Sequence, residues 1–376
     1  MKIIFITFID LLNSLTHRSH HMIDFLKNRY DSTIVFCRYD SKDVYIRNYE
    51  KLKIIGIPVE FYNLFKPLTL YESLTKIDGR HYDICIAQGP WAGLCGIEMY
   101  KSKFVNFLVY EDIDYFPGAF IQSDIYTKVK LIEEECIRNS DITFSVSHSL
   151  KDLREKQTGI KTYFLPNGIK KGIFTREKNN HKGINLIYSG SLEEWSGLEI
   201  PIKALPGLKR ELGIVNLIIV GKGMYEKNYK DLVSVLDLTE SVKFVGKVQY
   251  KDLPYYYKNA DIGLCTFMPT EFVKYSFPIK LVEYMATGIP SISTGIGELK
   301  NIVHKHKCGM NIYYNIADFQ DKILYLYNNK MKFDEMGLNG YNSSKQYYWD
   351  DIFYEEFKII YNKFYNKEKL RGVFNE

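Results

Sequence analysis

The sequence predicts an α/β protein with two doubly wound domains, each a parallel sheet covered by helices on both faces. Short apolar runs alternate with amphipathic stretches along the chain, and that series occurs twice. In addition, 376 residues are too many for a single hydrophobic core. Because ligands of open α/β sheets bind outside the carboxyl ends of the strands, two facing units predict a ligand cleft between the domains.

The predicted strands are short apolar runs in two series. The first series comprises residues 2–8, 32–37, 82–88, 104–110, 141–147 and 162–166. The second comprises residues 184–190, 215–221, 242–246, 261–266 and 290–294. Helical periodicity occupies the intervening stretches, for example residues 126–139, 197–212, 226–237 and 278–287.

Turn residues and the last segment of the chain set the predicted domain limits. An Asn-Gly turn followed by a charged run, within 165–183, has the composition of an exposed connection. The segment from Tyr347 onward has a long amphipathic helix pattern. The sequence therefore predicts an N-terminal domain over 1–167, a C-terminal domain over 168–348 and a final helix over 349–376.

Composition and charge narrow the classes of partner. A net charge of +5 fits anionic small ligands or an acidic membrane surface, without the concentrated basic face of a nucleic-acid binder. The six cysteines are scattered, with no C-x-x-C pair or zinc-type spacing. This pattern predicts that the protein is located in a reducing cytoplasm. No apolar run approaches the roughly 18–20 residues that span a bilayer, so any membrane contact is expected to be peripheral. The sequence leaves the oligomeric state open.

The segment "SFPIKLVEYMATGIP" (276–290) combines a helix start with two charged residues. Ser276 is a candidate N-cap and Pro278 suits the first turn, so the helix would present its N-terminus as an anion site. Glu283 would lie roughly 7 Å further along the axis, where its carboxylate could accept both hydroxyls of a ribose. The alternative is that Lys280 and Glu283 form an ordinary exposed ion pair at i,i+3.

Two glycine-containing turns follow predicted strands of the second series. Gly190 and Ser191, in "YSGSLEEWSG", would let backbone N–H groups approach a phosphate. Lys222 stands between two glycines in "VGKGMY", where a tight turn alone is the alternative explanation. Neither turn has the G-x-G-x-x-G fingerprint of dinucleotide binding.

Acidic and histidine residues mark the ends of two predicted strands of the first series. "DID" at 112–114 invites a metal interpretation, but a strand end with Asp112 and Asp114 on one face is favoured, and no metal is expected. His20 and His21 follow the first strand, where they would contact an acceptor or a phosphate.

Five segments of the C-terminal half occur in the order and spacing of retaining, nucleotide-sugar-dependent glycosyltransferases of family four, which the chain resembles. They are "FLPNGI" (164–169), "YSGSLEEWSGLE" (188–199), "LIIVGKG" (217–223), "VKFVGKVQYKDLPYYYKNADIGL" (242–264) and "SFPIKLVEYMATGIPSIST" (276–294). The resemblance implies the GT-B fold: two Rossmann-like domains, an interdomain cleft, and a last helix that crosses back to the first domain. The N-terminal half resembles the family more loosely.

The resemblance also assigns residues. Glu283 matches the glutamate that binds the donor ribose, and Glu111 and Asp112 fall at the strand end near the reacting sugar. Further donor contacts are implied at the loop before the helix and at the turn that meets the base: Ser276, Phe277, Pro278 and Ile279 for the first, and Gly246, Lys247 and Val248 for the second.

Several positions depart from the family pattern. The first glutamate of the family's paired motif is replaced by Tyr275, and Pro278 replaces the adjacent glycine. Ser191 and Ser196 stand where an arginine and a lysine clamp the diphosphate. Lys280 is the first candidate to replace those charges; Lys222 and then Lys274 follow.

The implied activity is transfer of a sugar, with retention, from a nucleoside-diphosphate donor (a UDP-sugar is favoured) to a hydroxyl of a glycan or lipid-linked acceptor in bacterial surface polysaccharide synthesis. No cofactor is expected, because Lys280 and the helix N-terminus would stabilise the departing diphosphate without a metal. One alternative is a non-catalytic GT-B partner protein that binds a nucleotide. The other is a nucleotide-sugar epimerase, which would need acid/base groups that the sequence does not clearly provide.

Overall fold

The computed structural model describes residues 1–13, 18–39, 41–60, 68–120 and 124–370. The chain forms two compact units, the first from Met1–Pro166 together with the segment that begins at Asp350, and the second from Asn167–Trp349. These divisions lie within one residue of the domain limits that the sequence predicts.

The first unit is built on an eight-stranded sheet whose order is β3-β4-β2-β1-β5-β6-β7-β8. All neighbouring strands are parallel except β3, an antiparallel edge strand against β4. The strands are β1 (Lys2–Thr7), β2 (Asp31–Arg38), β3 (Tyr45–Asn48), β4 (Leu52–Pro58), β5 (Tyr82–Gln88), β6 (Val105–Asp112), β7 (Ile142–Ser145) and β8 (Tyr163–Phe164).

The helices of the first unit follow the strands in the manner of parallel crossover connections. They are α1 (Arg18–Leu26), α2 (Leu68–Ile77), α3 (Pro90–Lys101), α4 (Ile125–Asn139) and α5 (His148–Thr158). Helix α3 is buried along most of its length, because it lies over the central strands β5 and β6.

The second unit has a six-stranded, all-parallel sheet in the order β11-β10-β9-β12-β13-β14. The strands are β9 (Ile184–Ser189), β10 (Val215–Val220), β11 (Val242–Gly246), β12 (Ile262–Cys265), β13 (Ser291–Thr294) and β14 (Gly309–Ile312). The helices are α6 (Glu199–Leu212), α7 (Glu226–Val235), α8 (Leu253–Tyr257), α9 (Glu271–Tyr275), α10 (Ile279–Thr287), α11 (Gly297–His306), α12 (Ile316–Asn328) and α13 (Lys330–Ser344).

The last helix, α14 (Trp349–Leu370), packs on the first unit. Phe357 lies 5.2 Å from Phe25 and stacks on Tyr30 at 5.0 Å between ring centroids. Nearer its end, Lys367 donates to the Tyr100 hydroxyl at 2.5 Å and pairs with Asp141. Aromatic packing and a charged contact therefore hold both halves of α14 against this unit.

The predicted strands of the second series and the four quoted helices match the structure to within one or two residues at each end. Strands β3, β4 and β14 were not predicted. β4 contains Lys53, Gly56 and Pro58, which weaken a strand pattern, and β14 is only four residues long. In the part of the chain that the structure describes, no helix is long and apolar enough to cross a membrane.

Candidate functional site

Glycine turns end β9, β10 and β11, three neighbouring strands of the second sheet. The Gly190 N–H donates to the Val220 carbonyl at 2.9 Å, and the Gly221 N–H donates to the Gly246 carbonyl at 2.8 Å. All three glycines have positive φ, and a Cβ on Gly221 would lie 1.8 Å from the Gly190 carbonyl oxygen. These turns therefore form one continuous backbone edge. Side chains in place of the glycines would prevent the neighbouring backbone segments from approaching each other so closely.

Lys280, in the first turn of α10, reaches the Gly190 turn. Its ammonium nitrogen lies 3.6 Å from the ring centroid of Tyr188 and 4.7 Å from that of Phe267. A Cβ on Gly190 would lie 2.6 Å from the same nitrogen. The lysine is thus half-buried between two aromatic rings at the end of β9.

The charge of Lys280 has no carboxylate within ion-pairing distance among the described residues. Burial lowers the pKa of Lys280 to about 7, although the neighbouring Glu283 carboxylate opposes that shift. A buried ammonium without an anionic partner is costly, and an approaching anion would remove that cost. This is the electrostatic character of an anion-binding site.

Glu283 lies one turn further along α10 and is only 5% exposed. The Tyr257 hydroxyl donates to its Oε2 at 2.6 Å, and the Tyr250 hydroxyl also favours the ionised form of this carboxylate. Burial raises the pKa of Glu283 to about 7, although the tyrosines and Lys280 favour the ionised form. The alternative of an exposed Lys280–Glu283 surface pair is therefore wrong.

The loop before α10 differs from the sequence prediction at Ser276. That residue caps the C-terminus of α9, and its hydroxyl donates to the Phe272 carbonyl at 2.8 Å. Pro278 occupies the N-cap position of α10 with φ −78° and makes no side-chain cap hydrogen bond. The predicted N-cap role of Ser276 is wrong, because its hydroxyl bonds back to the preceding turn.

The other predicted donor contacts lie around this edge with different exposure. Phe277 is buried, and its carbonyl accepts from the Asn167 side chain at 3.2 Å; Pro278 and Ile279 are half-buried. Ser191 is exposed, and its carbonyl accepts from the hydroxyls of Tyr188 and Ser196 at 2.7 Å each.

The turn after β11 carries the predicted base contacts. Gly246 and Val248 are half-buried, and Lys247 is exposed. The exposed Lys222 passes over Gly246, where a Cβ would lie 3.6 Å from the lysine Cε. Lys222 therefore lies at the same backbone edge as Lys280, although it is more fully solvated.

Glu111, at the end of β6, lies in a buried network of the first unit. Arg18 donates to its Oε1 at 2.8 Å, and the Gln88 amide donates to its Oε2 at 2.8 Å. Glu356 of α14 approaches the same Arg18 nitrogen, Nη2, at 3.5 Å. The Arg18 guanidinium holds the pKa of Glu111 below its usual range, against the effect of burial.

Asp112 lies in a second buried network. Arg154 donates to its carboxylate oxygens at 2.7 and 3.1 Å and to Glu133 at 2.5 Å, and all three side chains are fully buried. Burial raises the pKa of Glu133 to about 8, while Arg154 opposes the rise. The structure therefore places both predicted catalytic carboxylates in internal ion pairs.

The two predicted histidine contacts lie at the start of α1. The His20 ring contacts the Leu11 carbonyl at 3.1 Å and is half-buried, whereas His21 is buried. Among the residues with described placement, no group of three or more His, Cys, Asp or Glu side chains could hold a metal ion.

Sequence reasoning missed the aromatic residues around the charged pair. Tyr188 and Phe267 contact the lysine, and Tyr257 contacts the glutamate. In a chain with 31 tyrosines and 23 phenylalanines, no pattern in the sequence distinguishes these three.

Comparison with known proteins gives a family model that matches part of the chain and solved structures that share its fold. Residues 170–343 match the family model described as Glycosyl transferases group 1. The amylovoran biosynthesis glycosyltransferase AmsK of Erwinia amylovora is 31% identical over 123 residues, which cover 32% of this chain and 30% of that protein. The chain spans about half the length of the first curated relatives that it matches.

Solved structures cover nearly the whole chain. Sucrose-phosphate synthase from Thermosynechococcus elongatus has a TM-score of 0.82 at 15% identity, covering 97% of this chain and 99% of that one. HepE of Anabaena, in complex with UDP-glucose, has a TM-score of 0.75 at 16% identity, covering 96% of this chain and 100% of that one. The predicted fold class is confirmed: two Rossmann-like domains of the GT-B type.

Proposed function

We propose that this chain, whose residues 170–343 match the group 1 glycosyl transferases, transfers a sugar from a nucleoside diphosphate to a hydroxyl of a glycan or lipid-linked acceptor. The observation that carries the proposal is the position of Lys280. Its ammonium lies against the Gly190 turn, and no carboxylate of the described residues pairs with it. A diphosphate is the ligand that this combination of one buried cation and a backbone edge suits best.

Each part of a nucleotide-sugar donor has a proposed contact on this edge. The diphosphate would lie against Lys280, the Gly190 turn and the start of α10, with Lys222 as a second, more solvated cation. The base would contact the backbone from Gly246 to Val248. The ribose would lie on Glu283. UDP is the favoured nucleotide because HepE, a structural relative, was solved with UDP and with UDP-glucose.

The proposed reaction breaks the bond between the anomeric carbon and the diphosphate oxygen, and the diphosphate leaves with the electron pair. The acceptor oxygen bonds to the same carbon, and its proton ends on the diphosphate. Lys280 and the N-terminus of α10 stabilise the charge that develops on the leaving group, so the proposal needs no metal. Retention at the anomeric carbon is proposed from the family resemblance.

A direct catalytic role for Glu111 and Asp112 stays a prediction. Their buried pairs with Arg18 and Arg154 favour a supporting role, because a neighbouring arginine stabilises the ionised carboxylate and so makes it a weaker base. We infer that they fix the end of β6, beside which the acceptor would bind. The predicted contacts of His20 and His21 with the acceptor belong to the same proposal.

The acceptor class and the location are proposed on general grounds. The name of AmsK refers to amylovoran biosynthesis, which supports an acceptor in bacterial polysaccharide synthesis. All six cysteines are free and buried, which supports a reducing cytoplasm. A lipid-linked acceptor would require peripheral contact with a membrane surface. No observation favours an epimerase.

The deciding experiment is a donor screen with mass detection of sugar-nucleotide consumption and glycan product. Purified protein is incubated with UDP-, GDP-, ADP- and CMP-sugars, with and without extracted glycan and lipid acceptors. We expect consumption of one UDP-sugar that depends on acceptor. In parallel, thermal shift with UDP, GDP, ADP and CMP tests for nucleotide binding.

A matched pair of variants assigns the result to the site. Lys280→Met should abolish the thermal shift and turnover, whereas Lys222→Met should weaken both only a few-fold. Nucleotide binding without turnover of any sugar nucleotide would favour the non-catalytic partner protein. Unchanged affinity and turnover in Lys280→Met would contradict the proposed diphosphate site.

A further inference from the structure

The Asn-Gly dipeptide at 167–168 is not the exposed turn that its composition predicts. The backbone makes no turn there, and neither residue has a positive φ. Asn167 is half-buried, and Gly168 and Ile169 are buried. Since Asn-Gly is favoured in turns because both residues tolerate a positive φ, turn formation does not explain the asparagine at this position.

The side chain of Asn167 instead contacts the loop before α10. Its amide donates to the Phe277 carbonyl at 3.2 Å, and Phe277 is only 4% exposed. Phe277 lies three residues before Lys280 in the sequence, and Pro278 follows it with φ −78°, a backbone angle that the proline ring fixes. The orientation of the Phe277 carbonyl therefore sets the direction in which α10 begins.

A second segment of the same unit holds the ring of Phe277. Tyr347 is buried, and its ring centroid lies 5.8 Å from that of Phe277. The Tyr347 carbonyl accepts the Ile169 N–H at 2.8 Å, and the Ile169 carbonyl accepts the Trp349 N–H at 3.1 Å. The two segments that contact Phe277 are thus hydrogen-bonded to each other, and together they restrain both its carbonyl and its side chain.

We propose that Asn167 is a positioning residue of the donor site, whose amide fixes the start of α10 and so keeps Lys280 at the Gly190 turn. Lys280 packs closely on that turn, because a Cβ on Gly190 would lie 2.6 Å from its ammonium nitrogen. Without the amide, the buried Phe277 carbonyl loses its donor, and a shift of the loop would move the cation from the position proposed for the diphosphate. This inference rests on the proposed function, because it assumes that Lys280 contacts the diphosphate.

The test compares two probes, UDP and UMP, by isothermal titration calorimetry. The ratio of their affinities measures the contribution of the second phosphate and cancels most of the contribution of the base and the ribose. In Asn167→Ala we expect the preference for UDP to fall by about three- to tenfold. Asn179→Ala is the matched control, because it removes another side-chain amide of the second unit, which donates to Asn259 at an exposed site; its ratio should equal that of the wild type.

Asn167→Asp separates the role of the amide from that of the backbone. Aspartate keeps the size of the side chain and is favoured in the same turns, but its carboxylate cannot donate to the Phe277 carbonyl. We expect the preference for UDP to fall in this variant too, and the same fall in the uncharged Asn167→Ala shows that the added charge is not the cause. A fall in Asn167→Ala alone would overturn the proposal, because the backbone conformation would then be the decisive property.

The remaining outcomes separate this inference from the proposed function. A thermal unfolding curve of each free variant shows that it is folded. If the wild type binds UDP and Asn167→Ala leaves the ratio unchanged, even with weaker binding of both nucleotides, only the positioning role is overturned. If the wild type binds none of UDP, GDP, ADP or CMP, the proposed function itself fails, and the inference fails with it.

Discussion

The two units differ in whether the charged residues near their strand ends have an oppositely charged partner. In the first unit, Glu111 and Asp112 are each paired with a buried arginine, and a second carboxyl group completes each cluster. In the second unit, the Lys280 ammonium lies between aromatic rings, with no carboxylate of the described residues in ion-pairing range. Charges satisfied within the protein stabilise the fold, whereas a buried charge left unpaired is suited to a ligand.

This contrast makes the predicted catalytic role of Glu111 and Asp112 less favoured and supports the predicted role of Lys280. All six charged groups of the two clusters at the end of β6 are buried, so the family resemblance suggested catalysis where the contacts favour support. Lys280 was inferred from the absence of the basic residues that related enzymes carry. Its contact with the Gly190 turn gives that inference a physical basis.

The largest effect is expected from breaking an internal cluster of the first unit. Arg154→Met leaves Asp112 and Glu133 buried without their counter-charge, which should lower the free energy of unfolding by about 3–5 kcal/mol. Urea denaturation measures the change. Lys151→Met, on the same helix, removes only a partly exposed i,i+4 pair and should cost about 0.5 kcal/mol or less.

The nucleotide affinity of folded Arg154→Met protein should stay close to that of the wild type, because the cluster belongs to the first unit. A loss of stability below about 1 kcal/mol would mean that the buried pair contributes little to the fold. The contrast between the two units would then need another explanation.

The next effect concerns pH and the lysine of the second unit. Since burial lowers the pKa of Lys280 to about 7, part of the free protein lacks the ammonium charge at neutral pH. A bound diphosphate favours the charged form, so donor affinity should fall as pH rises above 7, by up to about tenfold per pH unit. Calorimetry with UDP-glucose between pH 6 and 9 measures this, because its phosphates do not titrate in that range.

Lys280→Arg is the control for this pH dependence. A guanidinium stays charged throughout the range, so the variant should show a much flatter profile even if its affinity at pH 6 is lower. Glu283 also titrates near pH 7, and any slope that persists in Lys280→Arg belongs to that carboxyl. Equal slopes in both proteins would exclude Lys280 as the group whose charge binds the diphosphate.

The fold was largely predictable because parallel strands leave a strong pattern. Strands such as β9 and β10 are continuous apolar runs that end at glycine, and their limits are visible in the sequence. β3 was missed because it is an antiparallel edge strand with three of its four residues exposed, so no buried face marks it. Ser276 was misassigned because its hydroxyl serves the preceding helix equally well, which only the local geometry decides.

The site was predictable only in part. The glycine turns and the charged residues of α10 were visible, since glycine and charge at strand ends are unusual features. The sequence could not show that Lys280 reaches Gly190 across neighbouring elements, or that the Tyr257 hydroxyl donates to Glu283. Those contacts depend on side-chain packing between segments that are far apart in sequence.

The last effect is expected at Glu356, which α14 places beside Arg18 and Glu111. Burial raises the pKa of Glu356 well above its usual range, the Glu111 carboxylate adds to the rise, and Arg18 opposes it. The folded protein therefore keeps a proton that the unfolded chain releases above about pH 4.3. Consequently this carboxyl lowers stability progressively as pH rises from that value toward its pKa in the folded protein.

Glu356→Gln removes this titration while it keeps the size of the side chain. The variant should match the wild type near pH 4 and exceed its free energy of unfolding at pH 8 by at least about 1.4 kcal/mol, which corresponds to one pKa unit of the shift. Glu355→Gln is the matched control, because that neighbouring carboxylate is exposed and its variant should show no such trend with pH. A gain that is equal at both pH values would mean that Glu356 is ionised in the folded protein. The single positive charge of Arg18 would then face two ionised carboxylates, Glu111 and Glu356. This strand-end cluster of the first unit would then have a net negative charge.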